Sequence, residues 1–413
     1  MRNRWLTVAL VLLGNLAAPW PVFAQLMQGI PRSPMEMLAG AERPPQGLYI
    51  MPWVAAGVVY DSNVFFRSRD LGPQDDVFLR VTPGLQASYQ STPLTVVANY
   101  RFDAEEYSHF HTLSTVQQRQ FGTVELRYRP SVNWNLSNTL GYAQTRTPFE
   151  LNFLTSAQVA RIKTERYFVS PAAEYRIDPY TRLRGEYAFS KDIFGGQVDI
   201  NSHIFTLGME RRLGAHDTIG PGYIGRHFTF SGDFNTPIAG FLGGNPNDVN
   251  SHAFVVNWAH EFAAGTRLDV RAGPRFTNGG LDDRPEALVG LRRRIQNGEL
   301  GLTYTSAITT VIGTVGSTRT DNVTLTALYE PVKHFTLTAA PTVAWIKNST
   351  FSSTIYTAYV EAAYQFNKFV TAKGSAYFSH QESELTGSSG TFVIPRNVFW
   401  FRVELTYPTR WED

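Results

Sequence analysis

The sequence predicts an all-β chain: a transmembrane, antiparallel, up-and-down β-barrel of about eighteen strands. Three observations carry that expectation. From Gly47 onward the dominant hydrophobic period is two. Compact turn signals alternate with longer polar connections, and tyrosine, phenylalanine and tryptophan recur near the ends of the alternating runs. Short turns at one end, long loops at the other and aromatic girdles are the pattern of a barrel that crosses a membrane.

The alternation is explicit in four stretches. In "GTVELRYR", Gly122, Val124, Leu126 and Tyr128 oppose Thr123, Glu125, Arg127 and Arg129. In "TRLRGEYAF", Leu183, Gly185, Tyr187 and Phe189 oppose Arg182, Arg184, Glu186 and Ala188. "TRLDVRAGPRF" sets Leu268, Val270, Ala272 and Phe276 against Arg267, Asp269, Arg271 and Arg275. "VFWFRVELTY" sets Phe399, Phe401, Val403, Leu405 and Tyr407 against Trp400, Arg402, Glu404 and Thr406. Each stretch therefore has one apolar and one strongly polar face. A soluble sandwich also alternates, but a dry core does not accept repeated arginine and glutamate unpaired.

Turn signals at Ser91, Arg129, Asp178, Gly214, Ala263, Asn297, Pro331 and Asn367 are compact. Between them lie "FRSRDLGPQDD", "TPFELNFLTSAQ", "SGDFNTPIAGFLGGNPNDV", "NGGLDDRPE" and "ESELTGSSG", which read as longer external loops. The chain offers about twenty residues per strand, room for a crossing of about ten plus a turn or loop. Interfacial aromatics are expected at Tyr89, Tyr100, Tyr128, Tyr142, Tyr175, Tyr187, Tyr329, Trp345, Tyr364 and Tyr407.

The ends set the compartment. Arg2 and Arg4 precede a short apolar segment, Pro21 and the small-residue site Val22-Phe23-Ala24, so residues 1–24 read as a secretory signal peptide. Residues 25–46 form a proline-rich periplasmic N-terminal segment, and 47–413 the barrel. The 413-residue chain has no cysteine, which excludes a disulfide framework and a lipoprotein acylation site. A net charge of +2 argues against a nucleic-acid partner. Only Lys163, Lys191, Lys333, Lys347, Lys368 and Lys373 are lysines among 37 basic residues. Arginine holds planar, bidentate partners better, so the bias predicts fixed side-chain networks.

One element interrupts the pattern. "VVYDSNVFFR" places Asp61-Ser62-Asn63 inside an apolar run, read as the rim where the first strand leaves the hydrocarbon, its polar groups in water and Tyr60, Phe65 and Phe66 at the interface. "YDSNVF" resembles the Y-D-[DS]-N-[VI]-F element of a family of outer-membrane β-barrel porins associated with exopolysaccharide biosynthesis and export gene clusters. "DDVFLRVTPGLQASYQ" resembles that family's second strand, as does "EALVGLRRRIQNGELGLTYTSAITTVIG" one of its hairpins, around Asn297-Gly298. The resemblance spans the barrel, but its motifs are structural. It implies an outer-membrane pore secreting an exopolysaccharide or capsular polysaccharide, fed by a periplasmic polysaccharide-export protein. Outer-membrane lipid and the barrel-assembly machinery are the other expected partners. The ending "TYPTRWED" departs from common barrel termini, leaving Tyr407 or Trp411 as the assembly anchor.

The working surface is the inward face. Alternation places there Arg80, Arg101, Glu125, Arg127, Arg166, Arg176, Arg182, Arg184, Arg212, Arg267, Arg271, Arg275, Arg292, Arg294 and Arg402, with Glu174, Glu186, Asp269 and Glu404. Excess arginine attracts anionic groups, and inward Tyr359, Tyr377 and Trp400 offer faces for sugar rings. Arginine–glutamate ladders equally brace a water-filled barrel. The alternative to export is a general or substrate-selective uptake porin, constricted by an inward-folded loop such as Ser231 to Val249.

Enzyme chemistry has little support. No G-x-S-x-G occurs, and "TGSSG" (Thr386 to Gly390) lies in a polar loop. His109 and His111 give two metal ligands without a third, so neither a metal nor another cofactor is expected. Asp75-Asp76 and Asp282-Asp283 read as solvated turn residues.

Overall fold

The computed structural model describes residues 47–410 except 153, 160, 196–197, 233–246, 263–264, 279–283, 313, 315, 386–389 and 408. Residues 1–24, expected to be a signal peptide, the 25–46 segment, Asp282-Asp283, most of "TGSSG" and Trp411 lie outside the described residues.

Eighteen antiparallel strands follow one another around a closed barrel. They are β1 (Gly47–Asp61), β2 (Asp76–Gln90), β3 (Leu94–Tyr107), β4 (Thr115–Tyr128), β5 (Trp134–Thr145), β6 (Thr164–Arg176), β7 (Thr181–Phe194), β8 (Val198–Arg212) and β9 (Asp217–Gly232). The second half comprises β10 (Val249–Glu261), β11 (Thr266–Gly273, resuming as Arg275–Thr277), β12 (Glu286–Ile295), β13 (Gly298–Thr310), β14 (Ser317–Val332), β15 (Phe335–Lys347), β16 (Phe351–Gln365), β17 (Val370–Leu385) and β18 (Thr391–Thr406). β1 pairs with β2 and also with β18, from Trp53↔Thr406 to Asp61↔Val398. Closure leaves no edge strand, so the ladders pair the backbone of the wall on both sides of each strand, as a crossing through hydrocarbon requires.

β11 breaks where Pro274 has no N–H to give the ladder. Both halves still pair with β10, and Phe254 donates its N–H to the Pro274 carbonyl. Among the described residues the only helical elements are three single 3₁₀ turns, none of them long enough to cross a membrane.

The period-two pattern sorts the side chains as expected. Outward positions expose large apolar groups, among them Leu79, Leu126, Leu207, Phe254, Leu302 at 46 % and Phe401 at 59 %. The aromatic positions expected at the interfaces all stand on this outward face, Tyr142 and Tyr175 half-buried against neighbouring rings. Inward positions carry the arginines and carboxylates. Two inward rings fill glycine gaps: a Cβ on Gly84 would lie 2.2 Å from the Trp53 ring, and one on Gly141 would lie 2.1 Å from the Phe168 ring. Those contacts require glycine.

Many strands run to between thirteen and sixteen residues, longer than a crossing of about ten needs. The surplus stands at the long-loop end, where outward residues turn polar at Gln120, Glu165, Lys191, Asp199, Asp321 and Glu382. The opposite ends are joined by short turns, such as 333–334 between β14 and β15.

Candidate functional site

The β5–β6 connection, residues 146–163, is not the external loop its polarity predicts. It folds into the barrel and is held by bonds to β3, β4, β6, β14 and β17 and to two of the other connections. Near its start, Glu150 accepts a 2.9 Å bond from Arg119 Nε of β4. Next, the Leu151 carbonyl accepts from Arg166 Nη1 of β6 at 3.0 Å. Asn152 then reaches the β13–β14 connection, its Oδ1 accepting from the Ile312 N–H at 2.7 Å and its Nδ2 donating to the Ile312 carbonyl at 3.1 Å. Further on, the Leu154 carbonyl accepts from Asn322 of β14. Gln158 exchanges two bonds with the Gln381 side chain of β17, at 2.7 and 3.2 Å. Finally Arg161 donates to the Val64 carbonyl and to the Tyr107 hydroxyl of β3.

The partners of this connection lie at the long-loop end, where the outward face changes from apolar to polar. Leu151 packs with Phe194, Ile200 and Ile312, while Ala157 packs with Val311, Ala344 and Ile355, so opposite walls share apolar clusters through the loop. Each neutral bond is worth about 1 kcal/mol net, and a buried polar group left unpaired costs about 1–3 kcal/mol. The loop is therefore a fixed constriction. The loop expected in that role, Ser231 to Val249, lies mostly outside the described residues.

Burial raises the Glu150 carboxyl, but the guanidiniums of Arg119 and Arg80 outweigh that effect and hold it below the usual carboxylate range. It stays ionised and keeps the loop attached to the β2–β4 wall.

Most of the inward arginines are engaged. On the β18–β4 wall, Arg80 meets Glu105 at 2.7 Å, Arg402 meets Glu361 at 3.0 Å, and Arg101 stacks 4.7 Å over Phe121. Glu125 is buried on the inner face of β4, followed by the exposed Arg127. On the facing wall, Arg166 forms a bidentate pair with Asp192 at 2.5 and 2.9 Å. Arg184 pairs with Glu186, Arg275 with Glu286, Arg292 with Glu299, and Arg271 donates to Asn257. At the short-turn end, Arg182 with its partner Glu210, Arg212, Arg176, Glu174 and Arg267 line a cavity of about 520 Å³, and Arg267 is paired with Asp269. Arg212 there holds the carbonyls of Gly214 and Ala215. Arg294 sits near the same end of β12. The arginine bias thus appears as planar, paired networks. The inward aromatics are engaged too: Tyr359 donates to Glu361, Trp400 lies between Arg80 and Arg402, and Tyr377 is half-buried near the Val398 cluster.

Several lumen residues escape sequence reasoning. Arg119 follows a bulge where the β3–β4 register shifts after Asp103 and Gln117 adopts a φ of 63°, which erases the alternation. It pairs with Asp103 and Glu150. Arg226 and Arg396 sit in glycine- and proline-flanked runs that the period does not flag. A residue-by-residue parity count from each clear stretch is the signal that finds them.

The rim reading of "YDSNVFFR" needs correction. Asp61 and Asn63 are 2 % and 0 % exposed rather than in water. Asp61 takes a bidentate bond from Arg396, and Asn63 bonds the carbonyls of Arg67 and Pro395. Phe66 is buried beneath the Arg396 guanidinium, and Phe65 packs edge-on against Phe110. The triplet is a latch between the first and last strands. Asp76 is likewise buried rather than solvated: it accepts from the N–H groups of Val77, His109 and Phe110 and from Ser108 Oγ.

The His109 ring lies 3.0 Å from the same carboxylate. Ser, His and Asp therefore meet at the rim, but Ser108 bonds the carboxylate directly and not the imidazole. The imidazole is therefore not placed to take the Ser108 proton, and Asp76 caps the 108–110 turn. His111 turns instead toward Glu106, at 3.7 Å.

An eighteen-stranded closed barrel with an outward apolar belt, aromatic girdles and a charged lumen is a bacterial outer-membrane β-barrel of porin-like fold. No protein-family model matches the chain, and no curated protein matches it. Among solved structures it is similar to the siderophore receptor PirA from Pseudomonas aeruginosa, at 9% identity and TM-score 0.44 over 89% of this chain and 81% of that one. It is also similar to OpdQ of the same organism (9%, TM-score 0.43, covering 88% and 98%) and to OpdL (10%, TM-score 0.45, covering 88% and 99%). Likeness at this level carries no argument about cargo.

Proposed function

We infer that the protein is a passive, loop-constricted channel that admits small solutes across the outer membrane. The observation that carries this reading is the 146–163 loop, pinned by buried hydrogen bonds to Ile312, Asn322 and Gln381 on the wall facing its origin. A secreted polysaccharide needs a continuous wide lumen, and here a chain would have to displace that loop. The export expectation rests on the resemblance of short structural motifs alone, and its periplasmic export partner stands or falls with it. Arg80, Arg101, Arg402, Arg166 and Arg271, which stand on inward positions of their strands, are the side chains we assign to the solute path. Solute movement follows its own gradient, since no nucleotide-binding motif supplies a motive force.

Liposome-swelling rates with purified full-length protein test the reading. Monosaccharides and small organic acids are expected to enter faster than trisaccharides, with polysaccharide excluded. Equal rates for small and polymeric solutes, or loss of secreted polysaccharide on deleting the gene, would overturn it in favour of export.

A further inference from the structure

Both ends of the 146–163 loop come to one small cavity of about 20 Å³, where Arg146 and Glu150 from its start meet Arg161 from its end. The β2–β4 wall contributes Arg80, Glu105 and Arg119, and the seam contributes Asp61 and Arg396. Five guanidiniums and three carboxylates therefore line one space.

Three of the five guanidiniums are matched. Arg396 is paired with Asp61 at 2.6 Å, Arg80 with Glu105 at 2.7 Å, and Arg119 with Glu150 at 2.9 Å. Arg119 also takes Asp103, a fourth carboxylate outside the lining. Neither Arg146 nor Arg161 has an ion-pair partner among the described residues. Arg161 donates through its two terminal nitrogens to the Val64 carbonyl and the Tyr107 hydroxyl, but its buried Nε has no partner. The buried Thr115 Oγ1, on a residue that lines the same cavity, has none either. Gln118 lines it too, its Oε1 unpartnered, and its amide can turn to present the N–H₂ group instead. Two like charges at the two ends of one loop, one of them with an unsatisfied N–H, are unfavourable unless a counter-charge lies between them.

We propose that this cavity holds one monovalent anion of halide size, chloride in ordinary media, which bridges Arg146 and Arg161 and accepts from Arg161 Nε and Thr115 Oγ1. With Asp103 counted, one negative charge brings the carboxylates and guanidiniums of the cluster to balance. A cavity needs about 10–15 Å³ to hold one water, so this one admits a single particle of water or halide size and excludes acetate, phosphate and sulfate. The anion ties the start of the loop to its end. Its binding goes beyond the channel reading, whereas its effect on the pore rests on that reading.

Urea unfolding of the detergent-solubilised full chain tests this, with sodium gluconate exchanged stepwise for sodium chloride, bromide or acetate at constant ionic strength. The midpoint is expected to rise saturably with chloride and bromide and not with acetate. Chlorine NMR line broadening, reversed by bromide, reports the binding directly. Arg161→Gln and Arg146→Gln are each expected to weaken chloride about tenfold. Absence of a halide-specific rise in the wild type, an equal rise with acetate, or an unaltered chloride response in both glutamine variants overturns the site and leaves the cavity to water. If neither glutamine variant folds, the anion series decides together with Thr115→Val, which should weaken chloride several-fold. Ion conductance of the same preparations separates the two readings: a conducting barrel indifferent to halide refutes this site alone, whereas one that binds chloride and passes no ions refutes the channel and supports the site.

Discussion

The Asp61 carboxylate and the Arg396 guanidinium, 335 positions apart in the chain, meet at 2.6 Å on the inner face where β1 closes against β18. Both side chains are almost wholly buried, at 3 % and 6 % exposure, and the guanidinium also covers the Phe66 ring. Asn63 adds bonds to the Pro395 carbonyl, and Ser62 exchanges two bonds with the Asn397 backbone. The polar triplet that interrupts the first strand is thus the lock of the barrel seam. Removing one partner of a buried pair leaves an uncompensated charge and costs about 3–5 kcal/mol. Asp61→Asn or Arg396→Met is expected to lower the urea midpoint of the folded barrel, read by its heat-modifiable gel mobility. The double change Asp61→Leu with Arg396→Met should recover much of the loss, and equal damage in single and double variants would refute the pairing.

The loop constriction makes a conductance prediction. Asn152 is 5 % exposed and ties the loop to Ile312 in both directions. Asn152→Ala leaves the Ile312 N–H without its acceptor and weakens the anchor by about 1–3 kcal/mol. Gln381→Leu acts on the other side, where Gln158 is held. Single-channel conductance in planar bilayers is expected to rise in either variant, and more in the double variant. Unchanged conductance in the double variant would show that the loop does not set the pore.

Glu150 gives the constriction a pH dependence whose sign is fixed. Its folded-state carboxyl lies below the ordinary value because Arg119 and Arg80 outweigh burial. A depressed carboxylate stabilises the folded arrangement above its unfolded value, about 4.3, and that contribution is lost as pH falls through the folded value. The anchor should therefore be intact at neutral pH and loosen only in the acid range below about 4. Conductance is expected to be flat from neutral pH down to that range and then to rise. Glu150→Gln should show the looser state at neutral pH and lose the acid step.

The strands were legible because lipid on one face and water on the other impose a choice at every residue. Leu183, Tyr187, Phe401 and Val403 face outward while Arg182, Glu186, Arg402 and Glu404 face inward, as their parity predicts. Loop 146–163 was not legible, because Glu150, Asn152 and Gln158 have the polarity of a solvated loop. Their partners Ile312 and Gln381 lie 160 and 223 positions away. The buried state of Asp61 was hidden for the same reason: Arg396, its counter-charge, is at the far end of the chain. Local pattern reports which solvent a strand meets, whereas the site depends on pairings across the lumen.

The sidedness of the wall is testable at two adjacent positions of β13. Leu302 points outward within the apolar belt, opposite Leu291 and Leu325 in the register, and Thr303 points inward opposite Gly290 and Thr324. An arginine facing lipid at the bilayer midplane costs about 2–4 kcal/mol, whereas the lumen side is wetted and already carries paired guanidiniums. Leu302→Arg is therefore expected to lower folding efficiency into vesicles and the urea midpoint, and Thr303→Arg to leave both nearly unchanged while altering ion selectivity. Reversal of the two outcomes would mean that the faces of β13 are assigned the wrong way round. A charge on the lipid side is unsolvated at any solute concentration, so the penalty at Leu302 should not respond to salt. The selectivity change at Thr303 should shrink as salt screens the lumen field.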